Sequence, residues 1–255
     1  MASVQIDPSW QLAVALVSLI VLGTLVARAG RLQIKGEVVV VAVRAALQLA
    51  VVSTIIVLAI QQLWSAGLFL LMMFTVGVLT ATGRVGTRKV WWWTAVAMAS
   101  GVLPVLAVIY LTGTAPLNGF SLIPIGSIVV GNMMTVHTLA GRRFFPALRD
   151  EIGVYEAALA LGFPRRTAID MVLQPVIAEP LVPMLDSTRT VGLVTLPGAF
   201  IGVLLGGGTP VQAGASQLLV LVGILVGQIC TVTVMRRLIG SARLLPDDLR
   251  GRLRP

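Results

Sequence analysis

The sequence predicts an all-α polytopic membrane fold of about seven transmembrane helices. Three observations predict it. First, 57% of the 255 residues are hydrophobic and 11% are charged, with a mean hydropathy of +0.96; a soluble domain carries about a quarter charged residues. Second, the apolar excess is gathered into runs of about 20 residues, the length that crosses a hydrocarbon core of roughly 30 Å as a helix. Third, the charge lies almost wholly between those runs. The runs are continuous Leu, Val, Ile and Ala stretches rather than short alternating segments, which favours helices over a β-barrel.

Taken in order, the first run covers about 10–27 and follows a terminus holding only Asp7 and Pro8 of note. It lacks the basic region of a signal peptide and reads as a retained span. Further runs cover about 38–60, 66–82, 92–111, 122–140, 181–205 and 212–235. Internal Gly and Pro are tolerated in membrane helices and do not argue against these spans. Trp10, Trp64, Trp91, Trp92, Trp93 and Tyr110 stand at run ends, where interfacial aromatics belong. With neither repeat nor low-complexity tract, residues 1–255 read as a single transmembrane domain.

The connectors set the orientation. Arg28, Arg31 and Lys35 follow the first run, Arg84, Arg88 and Lys89 the third, and Arg142, Arg143, Arg149, Arg165 and Arg166 the fifth. Arg236, Arg237, Arg243, Arg250, Arg252 and Arg254 follow the last. The other connectors hold no Lys or Arg. This alternation is the positive-inside pattern and places the N-terminus outside and the C-terminus in the cytoplasm, in the inner membrane. It also accounts for the net charge of +9, so no nucleic-acid partner is expected; the bilayer is. The single Cys230 excludes an intrachain disulfide.

One connector, about 141–180, is much longer than the others. Glu156 to Leu161 is a strong helix former, and Gly162, Phe163 and Pro164 break it. The next stretch restarts with Pro164 near its first turn. Ala168, Ile169, Val172 and Leu173 then recur at helical spacing. The expectation is a short amphipathic helix-turn-helix, which either docks in a groove of a partner or rests on lipid headgroups.

This segment resembles the EAA loop of ATP-binding-cassette (ABC) permeases, whose pattern is Glu-Ala-Ala, three residues, Gly, nine residues, then Ile-x-Leu-Pro. Glu156, Ala157, Ala158, Gly162, Val172 and Pro175 match in register, with Gln174 in place of Leu. Further stretches are similar to the FetB/YbbM-like permeases. They are Arg44-Ala45-Ala46-Leu47-Gln48-Leu49, Ile123-Pro124-Ile125-Gly126 with Gly131-Asn132-Met133-Met134, and Asp186 to Gly198, where Arg189 replaces the family's Lys. The resemblance runs from about 38 to 240. It implies a permease subunit, paired as a homodimer, whose EAA loop transmits the motion of a separate cytoplasmic ATPase. Bacterial members are associated with iron export, and plant relatives with aluminium tolerance and proposed nucleotide-sugar transport. The chain holds no Gly-x4-Gly-Lys-Ser/Thr phosphate loop, so ATP and Mg would be bound by the partner, with no cofactor here.

Polar residues inside spans need a reason. Arg44, Gln48, Asp186 and Arg189 are expected to cluster near the cytoplasmic mouth of the pathway, or to tie two spans, or to snorkel. Asn132 and Met134 line the pathway or serve packing, with Asn132 bonding across helices. Thioethers favour soft metals over ferric or aluminium ions. His137 reads as a hydrogen-bonded interfacial residue rather than a ligand, and Cys230 as packing. The metal site is unknown. Pro197 should bend or interrupt its span, with a hinge near 196–198. An enzyme acting on lipid lacks its paired carboxylates or metal cluster here. An ATP-independent secondary transporter stays open as an alternative.

Overall fold

The computed structural model describes residues 9–32, 34 and 36–253; Asp7, Lys35 and Arg254 lie outside the described residues. These residues form an all-α, multi-pass membrane protein with no β-strand among them. They divide into two compact units, Met1–Ala59 and Ile60–Pro255.

The first unit is a helical hairpin. Helix α1 (Trp10–Ala29) starts at Ser9, whose hydroxyl accepts from the Leu12 N–H at 3.4 Å. Arg31 and Gly36 take positive φ in the connector, and α2 (Glu37–Ala59) returns along α1. Both helices are apolar over most of their surface, Arg44 and Gln48 of α2 apart, and largely exposed, as expected for surfaces that face lipid or protein rather than water.

The second unit is built on four long helices: α3 (Leu63–Val85), α4 (Trp91–Leu111), α5 (Gly119–Asp150) and α10 (Pro210–Gly240). Between α5 and α10 lie four short ones, α6 (Ile152–Ala160), α7 (Arg165–Leu173), α8 (Val182–Thr190) and α9 (Gly198–Leu205). A last turn, α11 (Asp247–Arg252), closes the chain. Thr209 starts α10 with a capping box: its hydroxyl accepts from the Gln212 N–H, and the Gln212 side chain accepts from the Thr209 N–H at 2.9 Å.

Small residues set the bundle. At Gly101 of α4 a methyl group would overlap the Gly227 carbonyl, the Thr231 hydroxyl and the Met133 sulfur, so α4, α5 and α10 meet almost backbone to backbone. The Thr231 hydroxyl donates to the Met133 sulfur at 3.1 Å. Around this crossing Val78, Met98, Val102, Val130 and Met133 form one core cluster. A second and larger cluster lies at the basic ends of the same helices. It joins Phe144, Phe145 and Leu148 of α5 to Tyr155, Ile169 and Leu173 of the short helices and to Leu244, Leu245, Leu249 and Leu253.

Among the described residues six helices are long and apolar enough to cross a membrane, one fewer than the expected runs. The expected span 181–205 is two helices of nine and eight residues, with Val191–Pro197 unwound between them. Gly192 adopts φ +81, and Pro197 has no N–H to give the Leu193 carbonyl, so the ladder cannot run through. The long connector begins as helix. The first ten of the residues 141–180 continue α5, which runs unbroken for 32 residues, roughly 48 Å at 1.5 Å per residue. That exceeds a bilayer core, so α5 projects beyond it and carries the short helices on its end.

Candidate coupling hairpin and interrupted span

Helices α6 and α7 form the expected helix-turn-helix. The Gly162 N–H bonds the Leu159 carbonyl at 2.9 Å and the Phe163 N–H bonds the Ala158 carbonyl at 3.0 Å. Gly162 itself sits at φ +85. This is a Schellman closure, whose left-handed position favours glycine. Pro164 is the N-cap of α7, directly before its first turn as expected.

One side of the hairpin is packed and the other is bare. Tyr155, Ala158, Ala168, Ile169, Val172 and Leu173 are buried in the cluster at the basic ends. Glu156, Ala157 and Gly162 are exposed, with Leu161 78% and Phe163 41% exposed beside them. The motif residues therefore divide: Ala158 packs inward, and Glu156, Ala157 and Gly162 form the outer tip. Pro175 is exposed at the rim of a cavity of about 490 Å³ that is also lined by Arg142, Pro146, Asp150, Val154 and Met171.

Ion pairs fix the hairpin's base. Asp170 of α7 accepts from Arg236 of α10 at 2.8 Å, and Arg143 of α5 pairs with Glu179 at 2.9 Å. At the far end of α5, Arg149 donates to both carboxylate oxygens of Asp248, at 2.6 and 3.2 Å. That hydrogen bond holds the Asp248 carboxyl below its ordinary range. Sequence reading missed these partners. Arg149 and Asp248 are 99 residues apart and nothing local links them; only the spacing of Leu245, Leu249 and Leu253, four apart, hints that the terminal segment has an apolar face.

The interrupted span places the other predicted residues. Asp186 and Arg189 pair at 3.1 Å on α8, with side chains 61% and 74% exposed. Past them the N–H groups of Gly192, Leu193 and Val194 find carbonyls of Thr195 and Thr190, whereas the carbonyls of Gly192, Leu193 and Val194 accept no backbone bond. Leu193 and Val194 are 89% and 77% exposed. Val191 packs with Met184 against Val220, Leu221 and Ile224, near the middle of the apolar stretch of α10. The break at 191–197 is wider than the expected hinge at 196–198 and overlaps it at 196 and 197, with Pro197 as N-cap of α9 and Gly198 its first residue. Arg44 and Gln48 stand exposed on α2 in the first unit.

Asn132 and His137 differ in their bonding from expectation, and Met134 packs. The Asn132 amide donates to the Ile128 carbonyl of its own helix at 2.9 Å, not across helices. Met134 is half-buried and packs toward Gly77 of α3. His137 is fully buried, and neither ring nitrogen has a hydrogen-bond partner. Among the described residues no group of three His, Cys, Asp or Glu could hold a metal ion.

A family model described as "Uncharacterised protein family (UPF0014)" matches residues 9–243. The chain is 30% identical over 213 residues to Protein ALUMINUM SENSITIVE 3 of Arabidopsis thaliana, covering 82% of this chain and 77% of that protein. It is 31% identical to UPF0014 membrane protein STAR2 of Oryza sativa subsp. japonica, over 75% of this chain and 68% of that one. It is also 31% identical to the "Probable iron export permease protein FetB" of Escherichia coli, over 49% of this chain and 48% of that one. No solved structure matches the chain.

Proposed function

Because the chain belongs to the UPF0014 family of membrane proteins, we propose that it is the permease subunit of an ABC transporter, exporting iron or another metal with ATP hydrolysed on a separate chain. The observation that carries this reading is the α6–α7 hairpin. Its residues stand in the register of an EAA loop, its back is welded to the bundle, and its tip presents Glu156, Ala157, Leu161 and Phe163 bare. A rigid, amphipathic hairpin with one unpartnered apolar tip is built to seat in a partner's groove. The basic ends of the helices face the cytoplasm in this reading, so the hairpin meets a cytoplasmic ATPase. The export of iron rests on the relative named for it.

Alternating access needs an element with two arrangements, and the interrupted span supplies it. Free carbonyls and an exposed Asp186–Arg189 pair at membrane depth are stable only against protein or water, which supports a pathway lined by α8 and the break. A second permease copy would complete its wall.

The test is co-purification of the tagged chain with its candidate ATPase. Wild type is expected to retain the ATPase, whereas Glu156→Lys and Gly162→Pro release it while the permease stays folded by size-exclusion chromatography. Retention by both variants overturns the docking role. An interrupted mid-membrane helix is also a feature of secondary transporters, and failure of wild type to bind any ATPase would turn the reading to that class. The pathway has its own test. Asp186→Asn is expected to slow Fe(II) transport in proteoliposomes by about tenfold or more, the effect of losing one charge-assisted contact. Transport at the wild-type rate would remove the carboxylate from the pathway.

A further inference from the structure

The chain does not trail off after α10. Ala242 takes φ +56, and the Arg243 and Leu244 N–H groups both bond the Leu238 carbonyl, at 2.9 and 3.2 Å, turning the segment back under the bundle. Leu244, Leu249 and Leu253 are then fully buried and Leu245 nearly so. In a segment of 13 residues this is the packing of a core element, not of a terminus that merely satisfies charge rules.

Its polar contacts reach each neighbouring element. Asp247 pairs with Lys89 in the connector before α4 at 2.9 Å, and Asp248 with Arg149 at the end of α5. The Arg243 guanidinium lies 5.0 Å from the centre of the Trp93 ring. Arg165, the first residue of α7, donates to the Leu253 carbonyl. Arg166 packs on Gly240, and one turn further Asp170 meets Arg236. The Asp170–Arg236 pair has the least exposed side chains of the five ion pairs among the described residues, at 28% and 35%. The hairpin's second helix is thus bound at its start to the terminal segment and in its middle to α10.

We propose that residues 241–253 form a brace that holds α7 in a fixed relation to α10 and to the basic ends of α3–α5, with Asp170, Arg236, Arg149 and Asp248 as positioning residues. A load applied at the hairpin tip then moves α10 together with α5, and the interrupted span packed on α10 is driven from its two sides. Without the brace, α6–α7 would be free to shift on its covalent links to α5 and to residues 174–181, and part of the load would be lost there. Coupling through packed, charge-linked elements of this kind requires that the link be stiff. This last step rests on the reading of α6–α7 as the ATPase contact; the stiffness of α7 does not.

The test separates the two. In nanodiscs, hydrogen exchange of the α7 amides is measured on the permease alone. Asp170→Arg and Asp248→Arg are each expected to speed exchange about tenfold. The charge-swapped pairs Asp170→Arg/Arg236→Asp and Asp248→Arg/Arg149→Asp are expected to return it toward wild type, which a misfolded single variant could not do. With the ATPase present, the single variants are expected to bind it as wild type does but to lose the permease-dependent change in ATP hydrolysis, and the swaps to regain it. Unchanged α7 exchange in both single variants overturns the brace. Faster exchange with hydrolysis still coupled overturns its role in transmission. If wild type binds no ATPase, the ABC reading fails and the exchange measurement alone decides the brace.

Discussion

Gly101→Leu is expected to yield almost no folded protein. The position has no space for even a methyl group: Gly227's carbonyl, Thr231's hydroxyl and Met133's sulfur occupy it. The Gly227 backbone is fixed by its own helix, so the neighbour cannot move aside as a flexible side chain could. Relief requires α4 and α10 to part, which undoes the Thr231–Met133 contact and opens the cluster around Met98 and Val102. Overpacking a well-filled core costs about 1–3 kcal/mol, and a rigid backbone partner places this substitution at or above that range. The measurement is the monodisperse fraction and melting temperature in detergent, with Gly101→Ala expected between wild type and Leu. A Leu variant that elutes and melts like wild type would show that the crossing is loose.

Ile169→Asp is expected to detach the hairpin while leaving the bundle intact. Ile169 is fully buried on α7 between the end of α5 and the terminal leucines. Removing its side chain alone would cost about 2–5 kcal/mol, and a carboxylate in its place has no cation within the cluster and costs more. Ile169 lies in the cluster at the basic ends and not in the one around the α4–α5–α10 crossing, so that loss is local rather than global. Proteolysis of detergent-purified protein is expected to cut within 151–175 in the variant and not in wild type, with the melting temperature of the membrane part little changed. Equal protection in the two proteins would mean that α7 is held by its ion pairs and not by its apolar face. Gly101 carries no charge and no motif and draws no notice in the sequence, whereas Ile169 is legible there only as one member of an apolar stripe.

The two parts of the candidate site were unequally legible. The hairpin could be read because its signals are local: a helix-forming run, a glycine at the closing position, a proline start and an apolar stripe at helical spacing lie within 156–175. The interruption at Pro197 was readable for the same reason, although its extent was not. Hydropathy averages over Val191–Leu196 regardless of backbone state, and a run of apolar residues looks the same whether wound or unwound. Hydrogen bonds of single polar residues were not readable at all. Asn132 turns to its own helix and His137 finds no partner, and both outcomes depend on which neighbours the helix packing supplies.

By itself the sequence determined the class of the protein, the number of apolar runs, the alternation of basic and uncharged connectors and the position of the hairpin. Each of these follows from composition or from spacing within one turn or a few, and the bilayer enforces them segment by segment. Only the tertiary structure decided that one run is broken at mid-height, that α5 carries the hairpin on a continuous extension, and that the last residues fold back as a core element. Those features depend on contacts between residues far apart in the chain, such as Arg149 with Asp248 and Arg236 with Asp170. A charge there satisfies the same connector rule whether or not it has a partner, so only packing in three dimensions can assign one.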